Sequence, residues 1–310
     1  MITLKNYFHF NAKGEKIMFK GIFTPIITPF KENEDIDFES LKFNLVKWSK
    51  TKLDGIVVLG SNGEFAYLND TEKKSIVDFV KNNFTHDKKI IVGTYHESTN
   101  ATIKFSNEVA DLGADAVLVL PPNYYKGAMK EEVIYNHFIK IAEESKVPVM
   151  IYNMPGNTGI NMSADLVARL SRHDNIVGIK DTSGNIVQLT QLICNSDKDF
   201  TAFAGNAGYL LPALAVGAKG ATLALANCLP DECCELVECF NQGDLDKARH
   251  IQYNLLNINM LVTGKYGIPG LKAAMELMGF RGGYPRLPFK PANEQVKEEI
   301  RTELLRISAL

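Results

Sequence analysis

The sequence predicts a (β/α)8 barrel, a TIM barrel, followed by a C-terminal helical extension. Three observations carry that prediction. Eight short apolar runs alternate with helical patterns between residues 21 and 228. The runs are rich in β-branched residues and lack sustained polar alternation, as strands do when a parallel sheet buries both their faces. No GxGxxG turn follows the first run, although an open doubly wound sheet usually carries one. Eight βα units in about 210 residues fit a closed barrel instead.

The apolar runs fall at residues 21–27, 55–59, 89–93, 116–120, 147–152, 176–180, 201–204 and 221–225. Helical patterns occupy the gaps. The first, at 38–52, starts after the cap region Asp35–Asp37. The second, at 69–83, opens with Asn-Asp-Thr-Glu, which has the form of a capping box. The third, at 99–112, stops at Gly113, a natural left-handed terminator. Segments 130–144, 163–171, 186–196 and 208–215 complete the alternation. Beyond residue 228, Cys233, Leu236, Val237 and Phe240 take helical spacing, and further helices run to Leu310. Residues 229–310 therefore read as an extension that covers the barrel or meets another subunit, because barrel sites are built from the βα loops.

Composition narrows the function. A chain of 310 residues, 45% hydrophobic, supplies a barrel core and an appendage. A formal net charge of -2 gives no basic surface for nucleic acid or an acidic membrane. Residues 1–20 form a lead-in whose apolar run is too short and interrupted for a signal peptide or a span, and Met18 would serve equally as a start. Five cysteines, an odd number with no CxxC pair, read as reduced packing residues. With no clear targeting segment, the expected compartment is the cytoplasm. The six histidines are scattered without HxxxH or HxH, so no metal site is expected.

Polar residues at the C-terminal ends of strands are the candidates for chemistry. Gly60-Ser61-Asn62-Gly63-Glu64 ends the second strand. It reads either as an anion-binding nest at a helix start or as an ordinary glycine turn. Tyr124 or Tyr125, after the fourth strand, is placed to relay protons or to pack. Tyr152 ends the fifth strand, ahead of the glycine- and proline-rich loop Met154–Gly159. Lys180 ends the sixth, followed by Asp181-Thr182-Ser183-Gly184. Burial disfavours the charged form of a lysine, and a neutral amine is a nucleophile; the alternative is a lysine that snorkels from the rim. Ala204-Gly205-Asn206 ends the seventh strand with small residues that leave room for a ligand. Tyr124 to Tyr152 and Tyr152 to Lys180 are both 28 residues, about one βα unit. Equal steps around a barrel bring all three to one mouth.

These residues resemble the N-acetylneuraminate lyase / dihydrodipicolinate synthase family of Schiff-base aldolases. The matching motifs are GSNGE at 60–64, YNMPGNTG at 152–159 and GIKDTSG at 178–184, and the likeness runs from Gly21 into the C-terminal helices. GSNGEF, Glu97-Ser98-Thr99, Asn157-Thr158-Gly159, ALAN at 224–227 and YGIPGLK at 266–272 are most similar to its 4-hydroxy-2-oxoglutarate aldolase branch. Dihydrodipicolinate synthases usually carry threonines where Ser61 and Asn62 stand, and a carboxylate-holding arginine where Asn157 stands. An arginine fork binds a carboxylate through paired charged hydrogen bonds; asparagine offers a neutral contact.

The resemblance implies an imine between Lys180 and a 2-oxo acid, with Tyr152 carrying a proton in a relay with Ser61 and Tyr124, the latter supplied across a subunit contact. It implies that Ser61, Asn62, Gly63 and nearby amides hold the carboxylate, with Asn157, Thr182 and Gly205 at the substrate. No metal or organic cofactor is expected. The partners are pyruvate and an aldehyde, and a homotetramer built as a dimer of dimers is expected. The leading expectation is cleavage of 4-hydroxy-2-oxoglutarate to pyruvate and glyoxylate. The alternatives are condensation of pyruvate with aspartate semialdehyde, cleavage of a 2-oxo-3-deoxy sugar acid, and a catalytically silent barrel that binds a 2-oxo acid.

Overall fold

The computed structural model describes residues 19–310, so most of the lead-in, including Met18, lies outside the described residues. Eight parallel strands close into a barrel in chain order. They are β1 (Gly21–Pro25), β2 (Gly55–Val58), β3 (Lys89–Gly93), β4 (Ala116–Val119), β5 (Val149–Asn153), β6 (Ile176–Asp181), β7 (Thr201–Ala204) and β8 (Gly220–Thr222). Each strand is buried over nearly its whole length, which explains why the apolar runs lack alternation. The predicted barrel is therefore present.

The interleaved helices are α1 (Phe38–Ser49), α2 (Asp70–Asn83), α3 (Thr99–Asp111), α4 (Glu131–Glu144), the single turn α5 (Pro155–Thr158), α6 (Ala164–Leu170), α7 (Ile186–Asn195) and α8 (Leu210–Ala215). Then come α9 (Pro230–Asn241), α10 (Leu245–Met260), α11 (Gly267–Leu277) and α12 (Glu294–Arg306). The start of α2 is a reciprocal capping box: Asn69 accepts from the Glu72 amide, and the Glu72 carboxylate accepts from the Asn69 amide. Gly113, at φ +97°, follows α3 in the left-handed region.

Two boundaries differ from the sequence reading. β8 stops at Thr222, not at residue 225, because the side-chain amide of Asn227 turns the chain. It donates to the Pro25 and Ala224 carbonyls and accepts from the Ile27 amide. The helix α9, assigned by pattern to the extension, packs beside β1 and α8 and is the eighth helix of the alternation. Periodicity could not separate it from the helices behind it, since all bury one apolar face.

Two cores result. Phe23, Val57, Ile91, Leu118, Met150, Tyr152 and Phe203 fill the barrel interior. A larger shell between strands and helices includes Trp48, whose indole N–H donates to the Asn227 carbonyl and whose ring stacks on Phe280 at 5.7 Å. All five cysteines are unpaired; Cys228, Cys233, Cys234 and Cys239 are buried and Cys194 is exposed. No helix among the described residues is long and apolar enough to cross a membrane.

Candidate active site

Lys180 sits one residue before the end of β6, where alternation turns it into the barrel and turns Asp181 outward. The β5–β6 ladder pairs Tyr152 with Lys180 and Asn153 with Asp181. Lys180 is 4% exposed, and its Nζ lies 4.2 Å from the centroid of the Tyr152 ring. The Tyr152 hydroxyl is 3.5 Å from Ser61 Oγ and donates to Met154 Sδ at 2.8 Å. Lysine, tyrosine and serine thus form one cluster lining a cavity of about 1010 Å³.

Ser61 belongs to a 3₁₀ turn, Ser61–Gly63, directly after β2. The Gly63 amide closes this turn onto the Gly60 carbonyl, and the Gly63 carbonyl accepts from Thr28 Oγ1. Gly63 is buried beneath the cavity and does not line it, whereas Ser61 and Asn62 do. The role expected for Gly63 is corrected accordingly: it shapes the turn, and the amides ahead of the closing bond belong to Ser61 and Asn62.

For Tyr124, the expectation that equal steps bring it to the same mouth within one chain is corrected. Tyr124 is 76% exposed, stacks edge-on against Tyr125 and does not line the cavity. The β4–β5 ladder pairs Val119 with Ile151, which leaves Leu120, not Tyr124, level with Tyr152. Four further residues carry Tyr124 past the rim. Its amide and that of Asn123 donate to the Glu97 carboxylate, which fixes the loop in that place. Equal sequence steps failed here because β4 ends early and its loop is long.

Asn157, Thr182 and Gly205 all line the cavity. Asn157 is exposed on α5, at the rim. Thr182 Oγ1 donates to the Asn153 carbonyl at 2.7 Å, so its methyl faces Gly205. A Cβ at Gly205 would strike that methyl and approach the Asp181 carbonyl to 2.8 Å; glycine is a steric requirement there. Behind the lysine, the Asp181 carboxylate accepts from Asn153 Nδ2 at 2.7 Å and from Ser183 Oγ at 2.6 Å. Burial pushes its pKa up, against the pull of those two hydrogen bonds. The Tyr209 hydroxyl donates to the Asp181 carbonyl at 2.6 Å, which secures the strand end that carries Lys180.

Several cavity residues were not assigned to the site from the sequence, although Glu97 and residues 266–269 fall within the motifs that carry the resemblance. Tyr95, Glu97 and Asn123 form a hydrogen-bonded cluster on one wall, and burial raises the Tyr95 phenol above its ordinary range. Polar residues after β3 were the available signal. His96, half-buried, has its pKa lowered by burial. The segment from Val262 to Pro269 also lines the cavity, including Thr263 and Gly264 of the π-helical turn Leu261–Lys265. The extension is therefore part of the wall as well as a cover. Nothing in its periodicity marked it, since a π turn has no sequence signature comparable to a cap. Among the described residues no three His, Cys, Asp or Glu side chains converge as a metal-ligand set.

The model of the dihydrodipicolinate synthetase family matches residues 18–307. A 4-hydroxy-tetrahydrodipicolinate synthase of Methanothrix thermoacetophila is 35% identical over 294 residues, covering 94% of this chain and 98% of that protein. One of Methanospirillum hungatei is 32% identical, covering 93% and 99%. Among solved structures, dihydrodipicolinate synthase of Thermotoga maritima superposes with a TM-score of 0.90 at 30% identity, covering 95% of this chain and 100% of that one. A dihydrodipicolinate synthase of Bacillus anthracis gives a TM-score of 0.89 at 31% identity, covering 95% and 99%.

Proposed function

The chain belongs to the dihydrodipicolinate synthetase family of pyruvate-dependent Schiff-base aldolases, and we propose that it cleaves 4-hydroxy-2-oxoglutarate to pyruvate and glyoxylate through an imine on Lys180. The observation that carries the chemistry is the cluster of Lys180, Tyr152 and Ser61 lining the cavity. The Lys180 amine adds to the C2 carbonyl and water leaves, giving a protonated imine. The C4 hydroxyl passes its proton to the Tyr152–Ser61 pair, the C3–C4 bond breaks, and its electrons flow into the imine. Glyoxylate departs, the enamine takes a proton at C3, and water hydrolyses the imine to pyruvate. A free phenol, with an ordinary pKa near 10, is a weak base at pH 7, so the hydrogen-bonded hydroxyls act together. The imine itself stores the electrons, so the reading needs no metal or organic cofactor.

The substrate assignment rests on the rim. The residue there is Asn157, a neutral side chain, and the lysines lining the cavity among the described residues are Lys180 and Lys73, the latter ion-paired with Asp70 at 3.2 Å. That lining supplies no arginine fork for the aldehyde partner; the carboxylate of glyoxylate would be held by neutral donors such as Asn157. A second reading is condensation of pyruvate with aspartate semialdehyde. The names of the relatives support it and weigh against the rim argument.

Borohydride reduction in the presence of pyruvate, followed by peptide mass analysis, tests both. An adduct on Lys180 is expected, and its absence sinks both readings. Assays with the two substrates then separate them: glyoxylate release supports the first, and turnover confined to the condensation establishes the second.

A further inference from the structure

We propose that Lys272, on α11 of the C-terminal extension, is a positioning residue that holds the Ser61–Glu64 turn in its carboxylate-binding shape. The inference rests on the proposed role of Ser61 and Asn62 in holding the 2-oxo acid.

Lys272 Nζ lies 2.7 Å from Glu64 Oε1, with the two side chains 3% and 0% exposed. The same ammonium donates to the Thr28 carbonyl at 2.8 Å and to the Tyr284 carbonyl at 2.7 Å. The ammonium thus makes two hydrogen bonds to carbonyls and one ion-pair contact with Glu64. The contacts converge on the turn by two routes. One runs straight to Glu64, the residue that ends the turn. The other runs through Thr28, whose hydroxyl donates to the Gly63 carbonyl at 2.7 Å. The remaining carboxylate oxygen of Glu64 accepts from the Arg286 amide at 2.9 Å, also from the extension.

The turn needs such a brace. Glu64 is held at φ +55°, the left-handed region, where a residue with a Cβ is strained. A glycine there would relieve the strain but would lose the carboxylate that Lys272 grips. The pair is also poorly suited to a purely stabilising role. Burial pulls the Lys272 ammonium down to about 8 in spite of the raising effect of Glu64, so desolvation outweighs the attraction. A well-packed apolar pair would stabilise at least as well, but it would not fix the turn's direction. The approach is close: a Cβ on Gly282 would strike the Lys272 carbonyl, so α11 and the segment after it are seated tightly around this residue.

The test uses the full chain and reads the pyruvate concentration at half-maximal borohydride trapping of Lys180, together with the trapping rate at saturation. Trapping in the wild type comes first; if none occurs, the Schiff-base reading fails, and that failure is distinct from failure of the brace. Glu64→Gln keeps the shape of the side chain and removes its charge. It is expected to raise the half-saturating pyruvate concentration about tenfold or more, with the saturated rate changed by less than about threefold, the pattern of lost ground-state binding. Lys272→Met should do the same. Leu304→Ala, a buried change on α12, serves as a destabilised control and should leave half-saturation unmoved. If either charge variant proves unfolded by near-ultraviolet circular dichroism, Thr28→Val, which cuts the second route without stranding a charge, decides the matter. A folded Glu64→Gln or Thr28→Val variant with half-saturation within about twofold of the wild type overturns the proposal.

Discussion

The Nζ of Lys180 lies over the ring of Tyr152 at 4.2 Å, and the two residues are direct partners in the β5–β6 ladder. Their relative placement is thus set by backbone hydrogen bonds rather than by loop conformation. A nucleophile and a proton carrier held this way need little reorganisation during reaction. Tyr152→Phe keeps the ring beside the lysine and removes the hydroxyl. Imine trapping by borohydride should survive, while turnover falls about 100-fold or more, the range of a lost acid–base group. Unchanged turnover would remove Tyr152 from the proton path.

Gly205→Ala tests the cavity wall. Its Cβ meets the Thr182 methyl and the Asp181 carbonyl, one a side chain already fixed by a hydrogen bond and the other backbone. The expected cost is about 1–3 kcal/mol of stability, as for overpacked cores, together with weaker pyruvate binding. Thermal denaturation and trapping titrations measure the two effects. A variant of wild-type stability would show that Thr182 can step aside.

His137 gives an acid-sensitivity prediction with a definite sign. It is buried, Nδ1 meets Thr99 Oγ1 at 2.9 Å, and Nε2 has no protein partner. Burial lowers its pKa to about 4, only partly offset by Glu97. In the unfolded chain it takes a proton below about 6.5. Between these values the unfolded state binds more protons, so stability falls as pH drops from 6.5 to 4. The full contribution is about 3 kcal/mol. Urea denaturation at pH 7 and pH 4.5 should show His137→Leu losing less stability on acidification than the wild type. Equal losses would mean that the folded imidazole already protonates at its ordinary pKa.

Tyr124, exposed in one chain, is expected to enter the relay only across a subunit contact. Specific activity should therefore fall on dilution in step with dissociation measured by light scattering. Tyr124→Phe should cut turnover about tenfold or more without affecting imine trapping. A fully active monomer would exclude the residue from the reaction.

The strands, the barrel and the lysine were legible because their signals are local. A strand buried on both faces must be apolar throughout, and a lysine at its end is conspicuous in one dimension. The caps at Asn69 and Gly113 were legible for the same reason, since capping joins residues three or four apart. The equal step from Tyr124 to Tyr152 misled because the place of Tyr124 within the chain depends on where β4 stops pairing with β5, a non-local fact.

By itself, then, the sequence determined the barrel, its order of elements and the end of β6 that presents Lys180, all properties of residues near one another in the chain. Only the tertiary structure decided that Gly63 lies beneath the cavity, that Tyr124 stands outside it, that the segment from Val262 to Pro269 forms its wall, and that Lys272 grips Glu64 from 208 positions away. Those contacts arise when closure of the barrel and packing of the extension bring distant residues together in a dry interior. Which polar groups are left to meet there follows from the packing as a whole.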